Sequence, residues 1–309
     1  MIRLSFFMPR SLKCAIARAY SYLYRRYYNV WRYCRITNET GVTKDKRVTE
    51  VIVSLTSYPA RINAIRWTIL SLLNQSYKPN RIVLWLASSQ FPRQESDLPL
   101  QLIALKKYGL EICWTEDFRS YKKLVPALRM FPCAIIVTAD DDVIYPTFWL
   151  ELLINSYREF PTCVHCHRAH KIQLSSNGTP MPFLKWRYES NGDIPSFLNF
   201  LTGVGGVLYP PGSLDPQVLD VECFKKIAPT CDDHWFWAMA VKNGTRIRIV
   251  PNGFHSFMKY VNPLASTEFS LCKVNTGEDM KSNDDVVFAS ILKTFNLKEI
   301  LRREFKRQI

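Results

Sequence analysis

Several features that would assign the 309-residue sequence to a particular class of protein are missing from it. No window holds the 18 or more uninterrupted apolar residues that a membrane-spanning helix needs. Internal repeats and low-complexity tracts are absent, and the nine cysteines are odd in number and scattered from Cys14 to Cys272. We therefore expect a globular chain without a cleaved signal peptide or a disulfide framework, located in a reducing cytosol.

A dinucleotide-binding motif is also missing, although glycines cluster in the stretch LTGVGGVLYPPG. Gly203, Gly205 and Gly206 do not make the G-x-G-x-x-G pattern, because Leu208 stands where its last glycine would be. These glycines suit a close approach of the backbone to a bound ligand, and a tight turn or bulge explains them nearly as well.

Acidic side chains are absent before Glu39, so the first part of the chain is strongly basic. It carries eight of the +14 net charges, on Arg3, Arg10, Lys13, Arg18, Arg25, Arg26, Arg32 and Arg35, mixed with tyrosines and Trp31. Basic and aromatic side chains together suit an anionic membrane surface, and nucleic acid would attract the same charge. A basic helix that only packs on the main domain is the alternative for this segment, residues 1–47.

From about residue 48 onward, short β-branched runs alternate with stretches of helical periodicity. The predicted order is EVIVSLTSY as strand, RINAIRWTILSLLNQ as helix, RIVLWLA as strand, PLQLIALKKYG as helix, LEICWT as strand, KKLVPALRMFP as helix and AIIVTA as strand. This alternation predicts an α/β fold with a mostly parallel sheet flanked by helices. Ligands bind such sheets outside the carboxyl ends of the strands.

One of these carboxyl ends carries three consecutive aspartates, in the stretch IIVTADDDVIYP. Carboxylates beside a core are costly unless a cation or hydrogen-bond donors compensate them, so something positive is expected there. In an extended segment Asp140 and Asp142 point to the same side and can share one Mg²⁺ or Mn²⁺ ion, while Asp141 faces elsewhere. An acidic turn with no metal is the simpler alternative.

The cluster Cys163-Val164-His165-Cys166-His167 matches the C-x-x-C-H pattern of haem attachment. Its alternation suits a strand, which places Cys163, His165 and His167 on one face and the other two residues on the opposite face. Because haem attachment needs an exported chain, we interpret this cluster as structural.

Taken together, these motifs resemble a known family of enzymes. The strand ending in TADDDVIYP is similar to the D-x-D element of GT-A-fold (Rossmann-like) glycosyltransferases, and CDDHWFW resembles the acidic pair of their family 2-like members. SLTSYPARI with TILSLLNQSYKPNRIVLWLA resembles the first strand and helix of bacterial surface-polysaccharide transferases, of lipopolysaccharide or capsule type. The resemblance implies a transferase domain over residues 48–309, with a nucleotide-binding half, 48–146, and an acceptor-binding half, 147–309.

The resemblance also implies roles for individual residues. Asp142 would bind Mn²⁺ or Mg²⁺ directly, Asp140 would lie nearer the ribose or bind the ion through water, and Asp141 is an alternate because the register of the motif is open. His255 would add a nitrogen ligand, although a histidine between phenylalanines is more often simply packed. The nucleotide would be held by Thr56, Tyr58, Arg61 and Asp117, with Lys122 or Lys123 facing a phosphate; surface or turn roles are the alternatives for these residues.

Inverting sugar transfer needs a base that takes the proton of the acceptor hydroxyl. We expect Asp233 to be that base, with Asp232 raising the local negative charge. Trp235, Phe236 and Trp237 would supply stacking surfaces for a sugar. An alternative is that one of the two aspartates only caps the helix that follows.

The function predicted from these residues is metal-dependent transfer of a sugar from a nucleoside-diphosphate sugar, expected to be a UDP-sugar, to a glycan or glycolipid acceptor. The enzyme would lie peripherally on the inner face of the cell membrane, with no nucleic acid as partner. A nucleotidyltransferase or phosphodiester-processing enzyme acting on nucleic acid is the alternative class, since it shares the metal carboxylates and the positive charge. A carbohydrate- or lipid-binding protein that has lost its activity is a third.

Overall fold

A seven-stranded sheet forms the centre of the protein. The computed structural model describes residues 27–28, 30, 32–34, 39–192, 194–251, 261–262, 265 and 283–308. Its strands are β1 Val51–Thr56, β2 Arg81–Ala87, β3 Leu110–Thr115, β4 Ile135–Ala139, β5 Val164–Cys166, β6 Ala169–Lys171, β7 Asn199–Leu201, β8 Val207–Tyr209 and β9 Ile247–Ile249. The first four strands are the four apolar runs of the sequence. Strands β1, β2 and β4 are buried because the sheet is covered on both faces, whereas β3, at the edge, is mostly half-buried.

The strand order in the large sheet is β3-β2-β1-β4-β8-β5-β9, and β6 pairs with β7 in a separate two-stranded sheet. Strands β1 to β4 run parallel, with Val53 opposite both Ile82 and Val137. Strand β8 runs antiparallel to both of its neighbours, β4 and β5, while β9 is parallel to β5. The predicted α/β class with a mostly parallel sheet is confirmed.

Helices cover both faces of this sheet, as predicted. They are α1 Ile65–Leu73, α2 Leu100–Ile103, α3 Val125–Met130, α4 Trp149–Glu159, α5 Val221–Ile227, α6 Asp232–Lys242, α7 Asn283–Thr294 and α8 Lys298–Gln308. Successive side chains of β1 point to opposite faces of the sheet, so this strand contributes to two hydrophobic cores. Val53 and Leu55 belong to the core that contains α1 and α4, and Ile52 belongs to the core that contains α3, α6 and α7.

Two predicted helices are shorter than their sequence periodicity suggested. The stretch PLQLIALKKYG forms only one turn of α-helix, α2, and continues as a 3-10 helix over Ala104–Tyr108. Gly109 ends it with φ +110°, a left-handed conformation that favours glycine. The stretch KKLVPALRMFP divides at Leu124, because Pro126 occupies the first turn of a new helix, α3, and leaves Arg119–Lys123 as a 3-10 helix.

The last part of the basic N-terminal segment packs against α1. Val30, Tyr33 and Cys34 are buried, and the Cys34 thiol donates to the carbonyl oxygen of Trp67 at 3.1 Å. For these residues the alternative of a helix packed on the main domain is supported. Among the described residues, no helix is both long and apolar enough to cross a bilayer.

Gly206, which precedes β8, lies close to Trp149 of α4, so a substitution there measures how tightly the two segments pack. An alanine Cβ at Gly206 would lie 2.5 Å from Cζ2 of Trp149, whereas one at Gly212 would meet nothing within 4 Å. Both glycines have positive φ, of +91° and +72°, so backbone strain of about 1–2 kcal/mol is common to both substitutions. We expect Gly206→Ala to lower the free energy of unfolding by roughly 1–3 kcal/mol more than Gly212→Ala, because of the added clash.

Chemical denaturation of the two variants beside the wild type measures this difference. Equal losses in both variants would show that Trp149 moves aside at no cost.

Candidate active site

Four segments meet at the carboxyl edge of the parallel strands. The loop after β1 and the acidic triplet after β4 lie side by side, because β1 and β4 are paired in parallel. The 3-10 helix Arg119–Lys123 lies beside β1, and the N-terminus of α6 reaches the same place through an ion pair between Lys123 and Asp232. The site therefore joins the two halves that the sequence predicted, 48–146 and 147–309.

Asp141, the middle residue of the triplet, points into the protein. Its two carboxylate oxygens accept hydrogen bonds from the Ser57 hydroxyl at 2.6 Å and from Arg61 Nη1 at 2.7 Å. Its carbonyl oxygen accepts a third from the Thr68 hydroxyl at 2.9 Å. With both side-chain oxygens occupied, Asp141 is poorly suited to the alternate role in metal or nucleotide binding that the sequence left open for it.

Asp140 and Asp142 are the more open carboxylates, with side chains 24% and 27% exposed. Asp142 Oδ2 lies 2.9 Å from Arg61 Nη1, and its carbonyl oxygen accepts from the backbone N–H of Asn262. Burial raises the pKa of Asp142 to about 6, and the nearby charges of Asp141 and Asp140 add to this rise against the opposing charge of Arg61. Asp141 and Asp142 lie in a turn and share Arg61 Nη1, whereas Asp140 pairs with Lys123, so the extended geometry on which the predicted alternation rested is not present.

Lys123 is buried between the acidic triplet and α6. Its Nζ lies 2.8 Å from Asp140 Oδ1 and 3.1 Å from Asp232 Oδ2. Burial alone would lower the pKa of Lys123, but the charges of Asp140, Asp232 and Asp233 outweigh it and hold this pKa well above its usual range. The ammonium therefore stays charged, and it electrostatically joins the two acidic motifs of the sequence.

Gly203 provides the space that this ammonium needs. A Cβ built on Gly203 would lie 2.6 Å from Lys123 Nζ and 3.0 Å from Asp233 Oδ1. Gly203 was predicted to let the backbone approach a ligand. In the structure its missing side chain instead leaves room for Lys123 and Asp233.

Asp233 accepts from the backbone N–H of Gly203, at 3.0 Å to one oxygen and 3.1 Å to the other. Its side chain is only partly buried, whereas Asp232 is buried. Burial, followed by the charge of Asp232, raises the pKa of Asp233 to about 7, although Lys123 opposes the rise. Neither aspartate caps α6 through its side chain, because the N-cap residue is Cys231 and no side-chain cap bond forms there. The capping alternative is therefore wrong.

The residues predicted to hold a nucleotide mostly bind one another in this structure. Arg61 is buried against Asp141 and Asp142, and Lys122 is buried against Asp117 at 2.7 Å. Burial opposes the shift, but hydrogen bonds from Lys122 and from the backbone N–H of Arg119 hold the pKa of Asp117 below its usual value. The predicted phosphate contacts of Arg61 and Lys122, like those of Lys123, would therefore require these ion pairs to open.

Thr56 and Tyr58 lie at the rim of the same site. The Thr56 hydroxyl donates to the carbonyl oxygen of Trp85 at 2.8 Å, so it helps to fix the end of β1. The Tyr58 ring is half-buried, with the guanidinium carbon of Arg61 5.7 Å from its centroid. Its buried hydroxyl has no hydrogen-bond partner among the described residues.

The aromatic residues after Asp233 do not line an open surface. Trp235, Phe236 and Trp237 are all 0% exposed and belong to the core on one face of the sheet. The prediction that they stack on a sugar is wrong, because α6 is buried almost all round and has no exposed aromatic face.

Two histidines of the C-x-x-C-H cluster have structural partners in the protein. His165 bonds with the Ser156 hydroxyl and the Phe160 carbonyl, and His167 bonds with the Trp149 carbonyl, so both serve the contact between β5 and α4. The structural interpretation of the C-x-x-C-H cluster is supported. His255, the predicted third metal ligand, lies outside the described residues.

Sequence reasoning missed Ser57, Thr68 and Tyr145, which support the triplet through hydrogen bonds. The Tyr145 hydroxyl accepts from the backbone N–H of Asp140 at 2.9 Å. Only Ser57 had a signal in the sequence, because it follows β1 at the ligand-binding edge, next to residues already proposed to hold the nucleotide.

Comparison with known proteins gives structural neighbours but no close relative. Neither a protein-family model nor a curated protein sequence matches the chain. Among solved structures, the mannosyltransferase PcManGT from Pyrobaculum calidifontis, in complex with GDP-Man and Mn²⁺, is similar with 14% identity and a TM-score of 0.42 over 77% of this chain and 66% of that one. S. aureus TarS 1–349 is similar with 16% identity and a TM-score of 0.44 over 66% of this chain and 58% of that one.

The chain thus matches less than two thirds of the length of either neighbour. At these scores the likeness does not by itself establish an activity.

Removing the Lys123 ammonium should strongly destabilise the fold. In Lys123→Met, Asp140, Asp232 and Asp233 lose their common counter-charge, which for a broken buried ion pair costs about 3–5 kcal/mol. The deficit should shrink as the pH is lowered from 8 to 5, because protonation of the carboxylates relieves their repulsion. Lys106→Met is the matched control, since Lys106 pairs with Glu95 on the surface and its loss should cost less than about 1 kcal/mol.

Urea unfolding of both variants at several pH values gives the comparison. A loss for Lys123→Met as small as that of the control would contradict a buried ionic bridge.

Asp233 should reduce the stability of the fold as the pH rises. Its pKa is about 7 in the folded protein and near 3.8 in the unfolded chain, so the folded state binds the extra proton between these values. Stability should therefore fall as the pH rises from about 4 to 7, by roughly 1–3 kcal/mol from this group.

Asp233→Asn removes that titration. Its free energy of unfolding, measured against pH, should rise relative to the wild type over the same window, whereas parallel curves would mean that Asp233 titrates normally.

Proposed function

We propose that the protein is a metal-dependent glycosyltransferase that moves a sugar from a nucleoside diphosphate to an acceptor hydroxyl, with inversion at the anomeric carbon. The observation that carries this proposal is the meeting of an open acidic pair, Asp140 and Asp142, with a half-buried carboxyl, Asp233, at the ligand-binding edge of a parallel sheet. Asp140 and Asp142 suit the binding of a cation and a diphosphate, and Asp233 suits the role of proton acceptor.

The outer carboxylates of the triplet fit a divalent cation. They are oxygen ligands of the kind that Mn²⁺ and Mg²⁺ prefer, and the raised pKa of Asp142, caused first by burial and then opposed by Arg61, reflects negative charge that is incompletely balanced. Asp142 would hold the ion with help from Asp140, and His255 remains a proposed third ligand. When bound, such an ion stabilises the charge that develops on a leaving diphosphate.

Asp233 is suited to receive the proton of the acceptor. Its pKa of about 7, raised mainly by burial, lies near physiological pH, where a general base is most effective. The Gly203 N–H holds the carboxylate in place, whereas Asp232 forms an ion pair with Lys123 at 3.1 Å, so the two aspartates have different partners. Asp233 would bind the attacking hydroxyl, orient its oxygen and accept its proton at Oδ1 or Oδ2.

Lys123 separates this proposal from the nucleic-acid alternative. An enzyme that cleaves or joins phosphodiesters with two metals holds a second cation about 3.5–4 Å from the first, between shared carboxylates. Here the cation between Asp140 and Asp232 is the Lys123 ammonium. Sugar transfer requires one metal, which the triplet would bind, and one base, which α6 would supply.

The finer parts of the proposal rest on the sequence resemblance. Uridine diphosphate is the proposed carrier, and a surface glycan or glycolipid, of lipopolysaccharide or capsule type, is the proposed acceptor. The basic residues of the N-terminal segment would hold the enzyme to the anionic inner face of the cell membrane.

A thermal-shift panel of nucleoside diphosphates with and without Mn²⁺ tests donor binding. A ligand that binds only the folded state raises its melting temperature, so one diphosphate should give a shift that requires the metal. Asp142→Asn should lose this shift. Asp97→Asn, which alters an exposed pair with Arg93, should keep it. A shift with oligonucleotides alone would instead favour the nucleic-acid alternative.

With the donor known, Asp233→Asn tests the proton transfer. The variant should keep the metal-dependent melting shift, while transfer to acceptor falls by about 10²–10⁴-fold, the usual contribution of a general base. Unchanged turnover would remove Asp233 from the mechanism and leave donor binding untouched.

A further inference from the structure

A second group of metal-ligating side chains lies where α6 and α7 begin. Among the described residues, Cys231, His234 and Asp284 form the one set of three or more such side chains whose ligand atoms converge, all within 4.8 Å of one another. Cys231 is the N-cap residue of α6, His234 follows three positions later in its first turn, and Asp284 comes from the first turn of α7. We propose that these three residues bind a Zn²⁺ ion, which is distinct from the proposed Mn²⁺ or Mg²⁺ ion on Asp142.

The distances suit a tetrahedral zinc ion. Cys231 Sγ lies 3.8 Å from Asp284 Oδ1, and His234 Nδ1 lies 3.9 Å from the same oxygen. With Zn–S of about 2.3 Å and Zn–N or Zn–O of about 2.0–2.1 Å, a tetrahedral site has ligand-to-ligand distances of about 3.3–3.6 Å. Side-chain shifts of a few tenths of an ångström would close the three ligands on one ion, and a water molecule would occupy the fourth position.

The imidazole of His234 has no ordinary hydrogen bond to satisfy it. The side chain is 3% exposed, its Nε2 has no partner among the described residues, and 3.9 Å is too long for a hydrogen bond from Nδ1 to Asp284. Buried polar nitrogens normally find a partner, and a metal would supply one for Nδ1, the nitrogen that faces Asp284; Nε2 would then carry the proton. Phe183, Phe200 and Phe288 surround the ring, so water has little access to it.

The groups around the cluster resemble the outer shell of a metal site. Asn283 Nδ2 lies 3.6 Å from Cys231 Sγ and donates to it, as a neighbouring N–H does to a metal-bound thiolate. Asp284 is 7% exposed, and its Oδ1 lies 3.8 Å from Cys231 Sγ. A buried carboxylate in such a place gains from a cation beside it.

An ion at this site would hold the start of α6 against α7. Asp232 and Asp233 lie between Cys231 and His234 in the sequence, so the same turn of helix would carry two zinc ligands on one side and the proposed base on another. The zinc site stands on its own geometry and does not depend on the proposed sugar transfer.

Metal analysis of the full chain tests the proposal. After dialysis against excess Zn²⁺ and then against buffer, the wild type should retain about one Zn²⁺ per chain by elemental analysis. Cys231→Ser and His234→Gln should each bind Zn²⁺ at least 10-fold more weakly. Cys223→Ser, on the neighbouring helix α5, and Asp142→Asn, at the other proposed metal site, should keep the zinc of the wild type. Retention in Cys231→Ser, or loss in Asp142→Asn, would overturn the assignment.

A spectrum of the wild type covers the case in which the variants fail to fold. Co²⁺ added to the metal-free chain should give the absorption of a tetrahedral cobalt–thiolate site, which Zn²⁺ abolishes and Mn²⁺ does not. A folded chain that shows no thiolate band with Co²⁺ would mean that the three side chains form a metal-free hydrogen-bonded cluster.

Discussion

The buried ammonium of Lys123 is the constraint on which the site depends. It lies between Asp140 at the end of β4 and Asp232 at the start of α6, two segments that repel each other without it. Because a buried ion pair is costly to break, the sheet edge and the helix are held in one arrangement. Gly203 belongs to the same constraint, since a side chain there would displace the ammonium and Asp233 together. The position of the proposed base thus depends on this buried ion pair.

The part of the fold that was predicted from the sequence is the part set by local pattern. Strands β1 to β4 are short apolar runs, and their carboxyl ends were placed at one edge because parallel strands share that edge. Asp140 and Asp142 are the more open carboxylates of the triplet, but the extended geometry assumed for it was wrong, because the chain enters a turn at Asp141. Helix ends were less accurate, because Pro126 and the 3-10 geometry of Ala104–Tyr108 altered them locally.

What sequence reasoning missed is which partner each charged or aromatic group has. The triplet's positive partners are Arg61 and Lys123, which were assigned to phosphates because sequence does not reveal ion pairs between distant segments. Trp235 and Trp237 were assigned to a sugar because an apolar helix that is buried all round shows no face in its periodicity. The cluster of Cys231, His234 and Asp284 spans some fifty positions and likewise becomes visible only when α6 meets α7.

The position of β8 has a consequence for how the chain folds. Strands β1, β2 and β3 pair with their neighbours over about thirty residues each, whereas the pairing of β4 with β1 already joins segments that are 84 residues apart. Strand β8 must then insert between β4 and β5, about seventy residues after its first neighbour, before β9 can complete the sheet. Contacts between distant segments form slowly because closing long loops is entropically costly. The three-stranded unit of β1, β2 and β3 is thus expected to form early, and the binding edge becomes complete only after β4 has joined β1.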